Sequence, residues 1–181
     1  MARTIHRIES ATVVLAIVAV MTGSAGGGYA RGDTDLTLTS PAFPEGTPIP
    51  VRFACPEVGG RNSAPSLAWS APQGGNYGLA LVMDDPDAVG GLFVHWVVFG
   101  MHPGPGSSAE GQAQPGYGML EPNGNGDRAY RGPCPPKGSG MHHYQFILYQ
   151  VPSNLEGPAD AGAIARASTA SVTLTGTYGP L

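Results

Sequence analysis

Three carboxylates surround a single proline in residues 83–87, MDDPD, which follow an apolar run. Asp-Pro is ordinary turn chemistry, so a solvated turn is one interpretation of this segment. Ten residues beyond Asp85, His95 places a polar ring inside the apolar stretch FVHWV. Such a ring is often a core residue whose hydrogen bonds are satisfied. If Asp85 and His95 face each other across a hairpin, the carboxylate instead favours the charged ring, which would bind an anion.

A second group of reactive residue types lies in residues 132–146, GPCPPKGSGMHHYQF. Three prolines within residues 133–136 restrict the backbone and remove hydrogen-bond donors, which predicts a rigid wall. Because side chains alternate along a strand, His142 and Tyr144 should point to one face and His143 to the other. Only one of the two histidines can therefore share a pocket with Tyr144.

Short β-branched and aromatic runs separated by glycine and proline predict a mainly β fold. The turns between neighbouring runs are too short for parallel crossovers, so we expect antiparallel strands. An alanine-rich window at 159–170 predicts one short helix, and residues 101–114 and 116–132 have the composition of loops. The predicted strands are 36–39, 51–55, 66–70, 79–83, 94–99, 144–151 and 171–175.

The first 30 residues have the plan of a signal peptide. Basic residues precede an apolar run of roughly eleven residues, short of the approximately twenty that a membrane span needs, and small residues lead to Ala30. Cleavage after Ala30 would leave one domain, residues 31–181, with no stable membrane span. A retained anchor is the alternative. No cysteine follows the apolar run closely, so lipid attachment at a mature N-terminal cysteine is not expected.

Export would place the two cysteines in an oxidising compartment, where two lone cysteines of one domain tend to pair. We therefore predict a disulfide between Cys55 and Cys134 and a secreted, periplasmic or cell-envelope location. The net charge of −4 and the single lysine, Lys137, offer no basic surface for nucleic acid or for an anionic membrane. A small anion held in one pocket stays compatible with this charge.

Four segments, in the same order and spacing, resemble the signature segments of the phosphatidylethanolamine-binding protein family. They are DPD at 85–87, FVHW at 93–96, GPCPP at 132–136 and GMHHY at 140–144. The resemblance extends from PSLAW at 65–69 to GTYG at 176–179 and is strongest to the bacterial branch described as Raf kinase inhibitor-like. It implies a large central antiparallel sheet packed on a smaller one, with a pocket for phosphate, carboxylate or similar small anions.

The family's ligand pocket maps onto residues of this sequence. The resemblance makes Phe93 an aromatic wall, gives Tyr144 and His142 as hydrogen-bond donors to ligand oxygens, and gives Asp87 a role in bracing the turn. Two positions depart from the family pattern, because His143 replaces an arginine and Val89 a proline. The matching ligand-binding residues are Asp85, Phe93, His95, Pro135, Pro136, His142 and Tyr144.

These observations favour a secreted binding protein for a small anion, such as a phospholipid head group, without a cofactor or metal. An inhibitor of a protease or another protein partner is the alternative, since some family relatives block serine carboxypeptidases. A hydrolase is the third hypothesis, with Asp85, His95 and His142 as acid–base groups, or with a reduced Cys134 as a metal ligand. No nucleophile motif of the Gly-x-Ser-x-Gly kind accompanies them, so we expect no enzyme.

Overall fold

The computed structural model of the protein describes residues 36–155 and 159–179. The proposed signal peptide lies outside these residues, and all described residues belong to one compact unit. The strands are β1 (Thr37–Thr39), β2 (Thr47–Pro48), β3 (Leu67–Ser70), β4 (Tyr77–Asp85), β5 (Phe93–Met101), β6 (Gly106–Ser108), β7 (Met119–Glu121), β8 (His142–Pro152) and β9 (Ala170–Tyr178). One α-helix, α1 (Ala161–Ala167), precedes β9.

Six strands form a large sheet in the order β2-β9-β8-β4-β5-β7, and three form a small sheet in the order β1-β3-β6. The long strands β4, β5 and β8 lie at the centre of the large sheet, where their apolar residues are covered on both faces. The predicted mainly β fold with two sheets is confirmed, and the strand predicted at 144–151 is the longest described, with 11 residues.

The main core lies between the two sheets. Leu38 and Trp69 of the small sheet pack there with inward residues of the large sheet such as Leu81 and Phe146. A second cluster on the opposite face of the large sheet includes Ile164 of α1. Asp160 caps the N-terminus of the helix, because its carboxylate accepts a hydrogen bond from Ala163 N at 2.7 Å.

Some predicted elements were wrong. Residues 51–55 do not form a strand: Val51–Phe53 is a 3₁₀ turn, because Pro50 and Pro56 bound a segment too short to pair regularly. The segments expected as loops contain β6 and β7, each only three residues long.

The pairing of β2 with β9 is parallel, in contrast to the expected antiparallel arrangement. A two-residue strand carries too little periodicity to be recognised in sequence.

Candidate functional site

A cavity of about 180 Å³ lies where β4 and β5 meet the start of β8. The fold brings together all seven residues expected to bind a ligand: Asp85, Phe93, His95, Pro135, Pro136, His142 and Tyr144 line this one cavity. They come from three strands and the proline-rich loop. The lining also includes residues that the sequence analysis did not select as ligand-binding: Ala88, Val89, Asn125, Arg131 and Cys134.

A β-bulge directs His95 toward the cavity. Met83 pairs with Trp96 and Asp84 pairs with Val94, so β5 has one extra residue, His95, between these two pairs. A bulge rotates the following side chains relative to a regular strand. Trp96 therefore packs in the core between the sheets, while Val94 packs on the opposite face. His95 itself is 4% exposed and lines the cavity.

The His95 ring is neutral rather than cationic. Its Nδ1 donates to the carbonyl oxygen of Arg131 at 2.9 Å. Burial lowers the pKa of His95 to about 4, and this effect outweighs the opposing attraction of the Asp85 carboxylate. The expectation that Asp85 turns His95 into an anion-binding cation is therefore wrong, because loss of hydration dominates at this depth.

Asp85 forms its hydrogen bonds with groups other than His95. Its Oδ2 accepts from His142 Nδ1 at 2.7 Å, and both side chains are almost completely buried. Its Oδ1 accepts from Asp87 N at 2.9 Å, which closes the turn after β4. The second ring nitrogen of His142, Nε2, lies 2.9 Å from Ser139 Oγ. Since both nitrogens already have partners, His142 forms a wall of the cavity instead of presenting the free donor that the resemblance implied.

Tyr144 presents the unpaired polar group of the cavity. The side chain is fully buried, and its hydroxyl makes no hydrogen bond of good geometry with a described residue, although the Asp85 carboxylate and the Cys134 main chain lie close to it. Burial, with a smaller contribution from the nearby Asp85 charge, raises the pKa of Tyr144, so the hydroxyl keeps its proton and acts as a donor. A buried hydroxyl without a partner is costly, and a ligand oxygen would satisfy it.

The proline-rich loop is fastened to residues 53–55, at the end of the 3₁₀ turn Val51–Phe53 and directly after it. The predicted disulfide is confirmed: Cys55 and Cys134 are bonded, with their Cα atoms 5.4 Å apart. Cys134 is therefore not available as a thiolate metal ligand. Gly132 allows the close approach of the two segments, because a Cβ at this position would lie 2.1 Å from Phe53 O.

Asn62, which the sequence analysis did not select, holds the same loop from outside the cavity. Its Oδ1 accepts from Gly132 N at 2.7 Å, and its Nδ2 donates to Tyr130 O at 3.1 Å. These two bonds hold the main chain on both sides of Arg131, whose carbonyl orients the His95 ring. No local motif marks Asn62, because its partners lie about seventy positions away.

Arg131 and Asn125 add polar groups to the lining. The Arg131 side chain is 33% exposed and lies 3.7 Å from Glu57, so its charge is not held in a tight ion pair. Asn125 sits in a loop organised by Asn123, whose Oδ1 accepts from Asn125 N at 2.9 Å. The NGNG turn signal and the arginine directly before GPCPP were the only sequence features that pointed to these residues.

Outside the cavity, Asp87 and His143 form a hydrogen-bonded pair like that of Asp85 and His142, but exposed to solvent. Asp87 Oδ2 lies 2.7 Å from His143 Nδ1 and also accepts from His143 N at 2.8 Å. These hydrogen bonds lower the pKa of Asp87. His143 faces away from the cavity, as the strand alternation predicted, and Asp87 braces the turn against β8.

Asp84 points to the opposite face of the large sheet. Burial, aided by the neighbouring Asp85 charge, raises the pKa of Asp84 from 3.8 to about 6, and one carboxylate oxygen has no hydrogen-bond partner among the described residues. Above pH 6 the folded protein therefore carries a buried charge that the unfolded chain solvates. Well below pH 4 the carboxyl is neutral in both states and this cost disappears.

Asp84→Asn should consequently stabilise the protein at pH 8 by about 2 kcal/mol more than at pH 4. Urea unfolding of both proteins at the two pH values measures the difference. Asp87→Asn is the control of opposite sign, because the lowered pKa of Asp87 contributes stability at high pH that is lost on acidification. An Asp84→Asn effect that is equal at both pH values would contradict a raised pKa.

A larger open groove of about 1020 Å³ lies on the other side of the 137–141 loop. Its lining is mainly apolar, and Glu57 and Lys137 are its charged residues. The smaller cavity is the better candidate for a ligand site, because it collects the buried polar groups. No α-helix in the described ranges is long and apolar enough to cross a membrane.

The fold and the cavity define a two-sheet β protein with a small polar pocket at one end of its main sheet. The chain belongs to the phosphatidylethanolamine-binding protein family, whose model matches residues 39–179. A protein of Mycobacterium tuberculosis named as a lipoprotein, LppC, is 44% identical over 98% of this chain and 99% of its own. A UPF0098 protein of Mycobacterium bovis is 50% identical over 79% of this chain and 70% of its own.

Solved structures share the same architecture. A homologue of the family from Chlamydia trachomatis is 31% identical, with a TM-score of 0.67, and the match covers 81% of this chain and 98% of that chain. YbcL of Escherichia coli has the same TM-score of 0.67 at 24% identity, covering 80% of this chain and 98% of its own, and supports the fold alone.

Proposed function

We propose that this protein is an exported binding protein, not an enzyme, and that its pocket holds a small oxyanion such as a phosphate or carboxylate group. The observation that carries the proposal is the buried Tyr144 hydroxyl without a hydrogen bond of good geometry in the described chain, in a cavity whose lining includes Arg131, a residue with a guanidinium group. Both groups donate hydrogen bonds, and charge-assisted bonds to an anion are the strong ones.

The size and rigidity of the cavity fit this role. About 180 Å³ is below the range of about 300–1,000 Å³ typical for drug-sized ligands, so the pocket suits a head group and not a whole lipid. The disulfide and the consecutive prolines hold one wall before any ligand arrives. A preorganised wall reduces the entropy lost on binding.

Tyr144→Phe should lower the affinity for inorganic phosphate by about tenfold or more, because a hydrogen bond to a charged group contributes about 1.5–3 kcal/mol. Stability of the free protein should not fall, since the lost hydroxyl has no partner there. Calorimetric titration with phosphate and urea unfolding measure the two effects.

Tyr130→Phe is the matched control for this experiment. Its buried hydroxyl donates to Phe53 O at 3.0 Å, outside the cavity lining. This variant should lose stability but keep its phosphate affinity. Unchanged phosphate affinity in Tyr144→Phe would argue against the proposed pocket.

A hydrolase is the second candidate, because Ser139, His142 and Asp85 are hydrogen-bonded in the order of a nucleophile, a base and an orienting carboxylate. The sequence analysis found no such nucleophile. The Ser139 hydroxyl also lies 2.8 Å from Pro136 O, which fits a structural role in the turn. Covalent labelling of Ser139 by a fluorophosphonate, absent in Ser139→Ala and blocked in His142→Gln, would favour the enzyme.

Export to the cell envelope or beyond is part of the proposal. The lipoprotein name of the mycobacterial relative and the disulfide both support a location outside the reducing cytoplasm. The two cysteines of this sequence are bonded to each other, so neither would carry a lipid. Inhibition of a protein partner stays a prediction that rests on the family resemblance.

A further inference from the structure

We propose that the open groove beside the pocket is a second, apolar binding site. Its ligand is the alkyl chain of an amphiphile whose anionic group occupies the pocket. This inference rests on the proposed anion-binding function and adds a chemical class of ligand and a new site to it. The described linings of the groove and of the pocket share no residue.

The groove and the pocket are neighbours, separated by residues 137–141. Pro136 and His142, directly before and after this loop, line the pocket. Lys137 and Met141, at the two ends of the loop, line the groove. A chain attached to an anion in the pocket therefore reaches the groove by crossing this one loop.

The boundary between the two sites is thin. Gly138 and Gly140 are exposed, and no described atom lies within 4 Å of the position of a Cβ at either residue, so a chain crosses only main chain there. Glu57 of the groove also lies 3.7 Å from the Arg131 guanidinium and 3.8 Å from Cys134 Sγ, and both of these residues line the pocket.

The groove presents apolar side chains to solvent. Met141 is 60% exposed and Val51 is 51% exposed. A Cβ at Gly179 would lie 3.2 Å from Met141 Sδ, so the Met141 side chain extends from the loop to the residue directly after β9. Contiguous exposed apolar surface marks binding sites in soluble proteins. The apolar part of the lining consists of Pro48, Ile49, Val51, Val58, Met141 and Tyr178.

The wall of the groove favours an alkyl chain over a peptide. The main chains of its two strands are bonded to each other, since Ile49 N donates to Thr177 O at 2.8 Å, and Pro48 has no N–H group. A bound peptide needs partners for its own N–H and C=O groups, and leaving them unpaired is costly. An alkyl chain has no such groups.

The groove has no net charge that would compete for the anionic end of the ligand. Its charged residues are Glu57 and Lys137, one of each sign. The anion therefore stays in the pocket, and the groove contributes apolar contact. Its volume of about 1020 Å³ is at the upper end of the range typical for small-molecule sites, whereas the pocket of about 180 Å³ is too small for a long chain.

Methyl, butyl and octyl phosphate test the groove, because they share one head group and differ in chain length. A fully buried methylene raises affinity about fourfold, and one that stays open to water on one side about twofold. In calorimetric titrations of the full chain with monomeric ligand, octyl phosphate should bind at least about tenfold more tightly than butyl phosphate. Methyl phosphate reports on the pocket alone.

Met141→Gln removes apolar surface from the groove and keeps the length of the side chain. The ratio of octyl to butyl phosphate affinity should fall about threefold or more, while methyl phosphate affinity stays the same. Met119→Gln is the matched control, because Met119 is also 60% exposed and lies on β7, outside the groove lining. This variant should leave all three affinities unchanged.

Each part of the proposal fails on a different result. Equal affinity of butyl and octyl phosphate, or a ratio that stays at tenfold in folded Met141→Gln, would overturn the alkyl site and leave the anion pocket in place. Absence of methyl phosphate binding would overturn the proposed function itself.

Two further results would assign the groove to another occupant and overturn the alkyl site. In sedimentation, a dimer of the ligand-free chain that Met141→Gln converts to a monomer would identify a second copy. A leucine-rich phosphopeptide that binds more tightly than octyl phosphate would identify a peptide partner.

Discussion

Replacing both cysteines with alanine should lower the free energy of unfolding by about 3–4 kcal/mol. The disulfide joins residues separated by 79 positions, so its loss frees a long loop in the unfolded chain. It also fastens the Pro135–Pro136 wall of the cavity to the buried Cys55. Chemical unfolding of the variant and of the oxidised wild type measures the difference.

The reduced wild-type protein is the control for cavity and packing effects of the substitutions. It should lose nearly as much stability as the double variant, because the covalent link is the common change. If the double variant loses less than about 1 kcal/mol, the link contributes little and the hydrogen bonds of Asn62 and Gly132 must hold the loop instead.

The central strands could be predicted because their sequences are continuous apolar runs bounded by glycine and proline. The segment at 51–55 is also short and bounded by proline, but its only main-chain hydrogen bond to the proline-rich loop among the described residues runs from Cys55 N to Pro133 O, so it forms no strand. Short edge strands such as β7 are defined by their neighbour in space and carry no pattern of their own.

The residues of the site could be selected from sequence, but their chemistry could not. The alternation argument placed His142 with Tyr144 correctly and has no means of detecting the bulge at His95. Which histidine pairs with Asp85 depends on β8 lying beside β4, a contact between residues 57 positions apart. The depth of burial, which decides the charge of His95, is likewise a property of the whole fold.

The pocket is therefore built around one buried hydrogen-bonded pair, Asp85 and His142. Asp85 directs both carboxylate oxygens to protein donors, at Asp87 N and His142 Nδ1. Its role is to fix the geometry of the turn and of the His142 ring. Tyr144 and Arg131 are left to contact a ligand.

Two aspartates of the same turn offer a matched test of this role. Asp85 and Asp87 each lie 2.7 Å from the Nδ1 of a histidine at the start of β8, and each also accepts a backbone hydrogen bond. The pairs differ in burial: the side chains of Asp85 and His142 are 4% and 2% exposed, and those of Asp87 and His143 are 43% and 56% exposed.

Asp85→Ala should lower the free energy of unfolding by about 2 kcal/mol or more, because it leaves the buried Nδ1–H group of His142 without its partner. Asp87→Ala should have a much smaller effect, since water replaces the lost partner at the exposed pair. Urea unfolding at pH 7 compares the two variants. Asp85→Ala should also abolish phosphate binding, because the His142 wall and the turn lose their anchor, whereas Asp87→Ala should retain it. Equal losses in the free energy of unfolding in the two variants would show that burial does not determine how much each pair stabilises the protein. Asp85 would then act through its backbone hydrogen bond alone.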